Sequence, residues 1–293
     1  MMKKLFALCL AMMALVGMCL AEEPDIYTWD VWKYTLTEEG AVITNWHYGD
    51  AWIENHAVVE IPAELDGHPV VGIGYNAFNT SFMDSHIGFT LILPEGVKWL
   101  DYDAFMCCHN AEVIVFPASL VEIPEYCFSH VTADIIIAEG NPRYIMQDGF
   151  LIDQQTNTLL YAVPSEDDPP IPAVRRLGSG SLENYIGNWE QDVVIPEGVE
   201  EIGSYAFSDW AFGHVTLPES LRLIESMAFD VEITEPVIVP AGVEFVEHWA
   251  FSGCGTEIEV IAEGDSTHFE TAEEYEARTG EPHWMDDWLY EEE

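Results

Sequence analysis

The chain has 293 residues, of which 53 are acidic and nine are basic, and 49% are hydrophobic. That balance excludes nucleic acid and other polyanions as partners, because a strongly negative surface repels them while attracting basic proteins and divalent cations. Disorder is excluded as well: with ten tryptophans and so large an apolar fraction, the charge must coat a sizeable folded core.

Residues 1–21, "MMKKLFALCLAMMALVGMCLA", open with two lysines, run through an apolar stretch and end on small residues. This is the pattern of a secretory signal peptide, with cleavage expected after Ala21. The apolar stretch is shorter than the roughly 20 residues a membrane span needs, and no later segment reaches that length. Removing it takes away Lys3 and Lys4, leaving seven basic against 53 acidic residues, a formal charge of −46. Cys9 and Cys19 leave with it. Cys107, Cys108, Cys127 and Cys254 remain, too few over such a length for a disulfide scaffold. Cys108 and Cys254 each stand three places after a phenylalanine in "AFMCC" and "AFSGC", one slot seen twice, which reads as a small buried hydrophobe. Pairing of Cys127 with Cys107 or Cys108 is the alternative.

Residues 22–57 hold "YTLTEEGAVITNWHYGD", two alternating runs across a Glu-Glu-Gly turn, which predicts an N-terminal capping hairpin. The aromatic crowd here, Trp29, Trp32, Tyr34, Trp46, Tyr48 and Trp52, has two readings. Trp29, Trp32 and Trp46 are the candidate ligand-binding residues, able to stack on a sugar or anchor a protein. Alternatively, the indoles pack on the first coil.

From residue 58 the chain repeats a phrase. Pro94 to Phe105, Pro117 to Phe128, Pro196 to Phe207, Pro218 to Phe229 and Pro240 to Phe251 each span eleven positions, and Pro62 to Phe78 is a longer copy. Five and eight places before each phenylalanine of the regular copies stands an aliphatic residue, as in Val97 and Leu100 or Leu221 and Ile224. A β-branched run precedes each proline. The period of 22–23 residues predicts a solenoid. Each coil has a strand, a turn at "PEG" or "PES", a short second extended stretch and a corner at the phenylalanine. Phe78, Phe105, Phe128, Phe207, Phe229 and Phe251 are the structural repeat residues. A coil alone buries little; stacked coils share ladders of hydrogen bonds and side chains.

The fold expected is therefore mostly β: a right-handed solenoid with repeats over 58–134 and 171–256, separated by an insertion at 135–170. In the insertion "IIIAEGNPRYIMQDGFLIDQQTNTLLYAVP" a strand is followed by turns at "EGNP" and "QDG", then by a hairpin across "DQQTNT". "IPAVRRLGSGSLENYIGN" is a degenerate coil with Leu182 in the phenylalanine's place. Residues 257–293 form a cap and an acidic tail, with a helix over "TAEEYEART" stopped by Gly280.

These features together resemble the BspA-like leucine-rich-repeat family of bacterial and protozoan surface proteins. The resemblance is carried by "VTLPESLRLIESMAF", "AFSGC", "LDGHPVVGIGYNAF" and "EGNP…DGFL…TLLYAVP", and it runs from about Tyr34 to Gly280. It implies a curved leucine-rich-repeat solenoid, secreted or surface-held, that binds proteins in adhesion rather than catalysing a reaction.

No G-x-S-x-G, H-E-x-x-H, C-x-x-C or phosphate-binding glycine loop occurs. No catalytic residue, cofactor or metal site is therefore assigned. The acidic loop Glu166, Asp167, Asp168 could offer oxygens to calcium but reads better as a solvated loop. Trp284 and Trp288, four apart, share one helical face and are expected to dock on the last coil. The leading reading is a monomeric, secreted or cell-surface scaffold that binds a basic protein or a host or bacterial surface glycan. The alternatives are a carbohydrate-active enzyme or glycan-binding β-solenoid, for which seven basic residues are few, and a self-assembling surface protein, which the charge opposes.

Overall fold

The computed structural model describes residues 26–46, 57–80, 87–165, 169–183, 192–208, 211–233, 235–252 and 259–280. The chain is mostly β, a solenoid of about seven turns with one short C-terminal helix. Before each proline runs a parallel strand. Val58–Glu60, Phe89–Ile92, Ala111–Phe116 and Asp134–Ile137 lie side by side. Farther on, Val193–Val194 pairs with Val215–Thr216, and Val237–Val239 with Val260–Ala262. Their β-branched residues suit a half-buried pleated surface, and proline, having no amide hydrogen for the ladder, closes six of the eight, while Ala-Glu-Gly follows Asp134–Ile137 and runs on from Val260–Ala262.

The turn after the proline is a joint between coils. The Glu95 carboxylate accepts the amides of Ala118 and Ser119 in the next coil at 2.9 and 3.2 Å. The Ser119 hydroxyl in return accepts from the Gly96 amide and donates to the Val97 carbonyl, at 2.9 and 2.8 Å. Glu197 and Ser220 repeat the arrangement, Glu197 accepting from Glu219 and Ser220 and the Ser220 hydroxyl bridging Gly198 and Val199. Gly96 and Gly198 have φ of 109° and 102°, where a Cβ is strained. "PEG" and the "PAS" or "PES" that follows are thus the two halves of one joint.

A second ladder is made by the short stretches five residues before the corner. Ala41–Trp46, His68–Ile73 and Trp99–Leu100 run parallel at one end. Toward the other end follow Arg176–Leu177, Glu201–Ile202, Leu223–Ile224, Phe245–Val246 and His268–Phe269. The aliphatics between the two ladders, including Val97, Leu120, Val199 and Leu221, are fully buried.

The third edge is the corner. In seven coils the residue two places before the corner hydrophobe is left-handed: Asn76, Asp103, Tyr126, Gly180, Tyr205, Met227 and Trp249, with φ between 54° and 67°. Such a conformation costs a non-glycine residue about 1–2 kcal/mol. Backbone bonds between coils offset it, as from the Phe78, Phe105, Phe207 and Phe229 amides to the Ala104, Cys127, Ala228 and Ala250 carbonyls. The corner phenylalanines stack along the axis at 5.4 and 6.0 Å from Phe78 through Phe105 to Phe128, and at 5.1 Å from Phe207 through Phe229 to Phe251.

Both ends carry extra structure. At the N-terminal end Tyr27–Trp29, Trp32–Leu36 and Ala41–Trp46 form an antiparallel sheet whose last strand joins the second ladder. At the other end Ala272–Thr279 is helical, opened by a Thr271–Glu274 capping box and closed by left-handed Gly280 at φ 76°. Arg278 ties the helix to the solenoid through Glu270 at 2.7 Å and Glu247 at 3.3 Å.

The insertion contains one strand more than the hairpin expected. Tyr144–Gln147, Phe150–Asp153 and Thr158–Ala162 form an antiparallel meander, and the last pairs in parallel with Arg176–Leu177. Its strands alternate between two cores. Tyr144, Leu151, Leu160 and Tyr161 pack with the N-terminal coils, whereas Phe150, Ile152, Leu159 and Ala162 pack with the C-terminal ones. The meander is a wedge on one side of the stack. On the corner side the ladder passes straight across, the Tyr126 amide donating to the Ser179 carbonyl and the Gly180 amide to the Ser204 carbonyl.

Candidate functional site

Where the corner ladder crosses the insertion, its outer edge carries a row of tyrosines. Tyr75 and Tyr102 stand three places before a corner phenylalanine, Tyr126 and Tyr205 two places before. Neighbouring ring centroids are 6.3, 6.0 and 5.8 Å apart, the first pair parallel and the others edge-on. Tyr75 and Tyr102 are exposed. Tyr126 and Tyr205 meet across the degenerate coil, because that coil has Gly180 at the equivalent position. A Cβ on Gly180 would come within 3.1 Å of the Tyr126 ring. The absent side chain leaves a groove of about 340 Å³ lined by Tyr102, Asp103, Tyr126, Glu183, Tyr205 and Asp230, with Ser129 and His130 at its side.

Two buried carboxylates face this groove in different states. Glu183 is satisfied: the Ser129 hydroxyl donates to it at 3.0 Å and His130 Nδ1 lies 2.9 Å from it. Serine and imidazole therefore both hold the carboxylate rather than each other, which is not a nucleophile–base relay. Asp103 is only 7% exposed, and its carboxylate has no hydrogen bond or ion pair among the described residues. Burial pushes its pKa up. Burial, then Asp103 and Tyr75, push up the Tyr102 hydroxyl. Tyr126 is anchored by donating to the Ser204 carbonyl at 3.0 Å.

An ion network underlies the groove. The Arg176 guanidinium reaches both oxygens of Glu125 at 2.9 Å, Glu225 at 2.8 Å and Glu201 at 3.2 Å. Burial alone would raise the Glu125 pKa, but the Arg176 hydrogen bonds, the Ser179 amide and the Arg176 charge together hold it below the usual carboxylate range. Glu125 precedes the insertion and Arg176 follows it, so the pair clamps the two coils that the wedge separates elsewhere.

The aromatic cluster expected to bind ligand is placed differently. Trp32 and Trp46 are 3% and 4% exposed. They stack on each other at 6.0 Å, and Trp46 lies 5.4 Å from Phe78, at the head of the phenylalanine row. The hairpin thus packs its indoles on the first coil, and these two are core residues rather than a recognition surface. The Trp29 backbone lies in the first strand; its side chain is outside the described residues, as are residues 1–21, Tyr48, Trp52, Glu166, Asp167, Asp168, Cys254, Trp284 and Trp288. Phe78, Phe105, Phe128, Phe207 and Phe229 are buried and Phe251 is half-buried. Cys107, Cys108 and Cys127 are free thiols, so the pairing of Cys127 with either neighbour is not formed. Cys108 fills the buried slot expected of it, and Cys127 takes the place of the corner alanine. The tyrosine row is not among the site residues expected from the sequence, although "GYNAF", "DYDAF", "PEYCF" and "GSYAF" each carry its signal.

Stacked coils of this length, with strand, joint and corner ladders and a variable outer edge, define a leucine-rich-repeat scaffold. A family model described as "BspA type Leucine rich repeat region" matches six copies over residues 68–158 and 184–272. The chain belongs to that family. Solved structures similar to it include the pneumococcal vaccine antigen PcpA, at 16% identity over 86% of this chain and 89% of that one, with a TM-score of 0.48. A leucine rich cell surface protein from Faecalibacterium prausnitzii is 15% identical over 80% and 87% of the two chains, with a TM-score of 0.33. A leucine rich repeat protein of T. pallidum is 21% identical over 78% and 91%, with a TM-score of 0.36. No curated protein matches the chain. Among the described residues no helix is long and apolar enough to cross a membrane.

Proposed function

We propose that this protein is a secreted or surface-held repeat scaffold that recognises another protein through its corner edge and performs no reaction itself. The observation that carries the reading is the tyrosine row. Four tyrosines from four coils stand in line on a stiff backbone, with a groove between them. Aromatic side chains held rigidly are effective anchors in protein interfaces, because they bury much area at little conformational cost. The other elements fit this use: residues 1–21 as an export leader, 22–57 and 257–293 as end covers, and the wedge at 135–170 as an insertion that leaves the corner edge continuous. The charge of −46 after removal of residues 1–21 favours a basic partner and accelerates encounter with it.

A second reading is favoured by one feature. The exposed rings of Tyr75 and Tyr102 are parallel within 1°, a platform suited to a sugar ring. The test presents the protein, immobilised, to purified matrix proteins, bacterial surface proteins and neutral glycans. Retention of a basic protein, with an association rate that falls as salt rises, supports the first reading. Retention of glycans alone, or of nothing, rejects it.

A further inference from the structure

Asp103 is the one feature of the groove that the fold itself does not account for. A carboxylate partly withdrawn from water is costly without a partner, and this one, in a residue only 7% exposed that lines the groove, has none among the described residues. Six of the chain's seven cations beyond residue 21 are committed elsewhere: Lys98 to Glu39, Arg143 to Asp153, Arg175 to Glu201, Arg176 to Glu125, Arg278 to Glu270, and Arg222 to the Glu219, Leu221 and Gly242 carbonyls. Nor does the strand–corner geometry demand an acid at this position, where other coils place Asn76, Tyr205 or Met227.

We propose that the groove binds the guanidinium of an arginine side chain on a partner protein, with Asp103 as counter-ion and Tyr102 and Tyr126 as aromatic walls. The inference rests on the protein-recognition reading above and names the chemistry of its anchor. The groove's size of about 340 Å³ lies at the low end for ligand sites and suits one long side chain. Tyrosine faces attract cations, and the edge-on packing of Tyr102 against Tyr126 leaves ring surface turned to the groove. Guanidinium suits it better than ammonium, being planar, weakly hydrated and able to stack while its N–H groups fork onto a carboxylate. Glu183 and Asp230, which also line the groove, add negative potential. A divalent ion is a poorer occupant, because no cluster of three or more metal-binding side chains exists among the described residues.

The test titrates the protein with a capped Gly-Arg-Gly peptide at physiological salt, following the heat of binding by isothermal titration calorimetry. In parallel come the citrulline version of the peptide, which keeps the shape and loses the charge, and a neutral tetrasaccharide. Saturable binding of the arginine peptide alone is expected, weakened about tenfold or more by Asp103→Asn, as befits loss of one charged hydrogen-bonded contact. Glu263→Gln removes the same charge from an exposed site and should leave binding unchanged. The melting temperature of Asp103→Asn should not fall, which separates loss of contact from loss of fold. Equal effects of the two substitutions, equal binding of the citrulline peptide, binding of the saccharide alone, or no binding overturns the proposal. If proteins are still retained in the capture experiment after such a result, only the arginine site fails; if nothing is retained, the recognition reading fails with it.

Discussion

Arg176→Gln tests whether the two halves of the solenoid are joined at the corner as described. The Arg176 side chain is 13% exposed, and its guanidinium contacts Glu125, Glu201 and Glu225, whose side chains are 31%, 25% and 21% exposed. Removing the cation leaves those carboxylates converging without compensation. Breaking a buried pair on one side costs about 3–5 kcal/mol. Water reaches these three acids in part, and the Ser179 and Ser204 amides still serve Glu125 and Glu225, so about 2–4 kcal/mol is expected after screening. Urea unfolding followed by circular dichroism measures it. Adding Glu125→Gln should recover part of the loss, because the repulsion is relieved, and the double-mutant cycle reads the coupling. Hydrogen exchange should quicken at the Ser179 and Gly180 amides first. A loss below about 1 kcal/mol, or no recovery in the double variant, would refute the clamp.

Ser181 occupies the corner slot held by Ala104, Ala206, Ala228 and Ala250 in other coils; it is 1% exposed and its hydroxyl has no partner among the described residues. Ser181→Ala should therefore stabilise the protein by about 1 kcal/mol, and unfolding that becomes easier would contradict this. Acid should act in two directions. Burial pushes Asp153 and Glu125 up, but their arginines and hydrogen bonds outweigh it, and Arg278 outweighs burial at Glu270, so all three folded pKa values are depressed; their stabilisation is complete above about pH 4–5 and lost as pH falls through the folded values. Asp103, whose pKa is raised, binds its proton more tightly when folded, and acidification through its range favours the native state. Relief of repulsion among the surface carboxylates works the same way. The melting temperature should rise from pH 7 to about 5 and fall below about 4; a monotonic fall from pH 7 would be contrary. N-terminal sequencing of exported protein should begin at Glu22, and a chain that retains Met1 would reject the leader.

The repeat was legible because spacing survives without context: proline and phenylalanine eleven apart, with aliphatics between, fix which residues face inward. The Gly280 stop was legible for the same reason, being local chemistry, whereas Thr271, expected inside the helix, is its N-cap. The groove was not. Its walls come from coils that the wedge separates by 79 residues in sequence, Tyr126 and Tyr205, and become neighbours only because the corner ladder skips the wedge. Tyrosine, methionine and tryptophan also give no hint of a left-handed backbone at 126, 227 and 249, since there the fold overrides intrinsic preference. Trp32 and Trp46 show the opposite limit. Composition marks an aromatic crowd, but only strand register decides whether indoles face water or stack on Phe78. Tyr144–Gln147 escaped as a strand because four residues between two turns carry too little periodicity.

That recognition occurs at the corner edge is most directly tested by nuclear magnetic resonance of protein labelled only at its twelve tyrosine rings. On addition of the capped arginine peptide, ring signals of Tyr102, Tyr126 and Tyr205 should shift together and saturate with one dissociation constant. Tyr27, which is exposed at the far N-terminal end, should stay unmoved. Equal shifts at Tyr27 and the groove tyrosines, or none at the groove, would contradict the assignment of this edge.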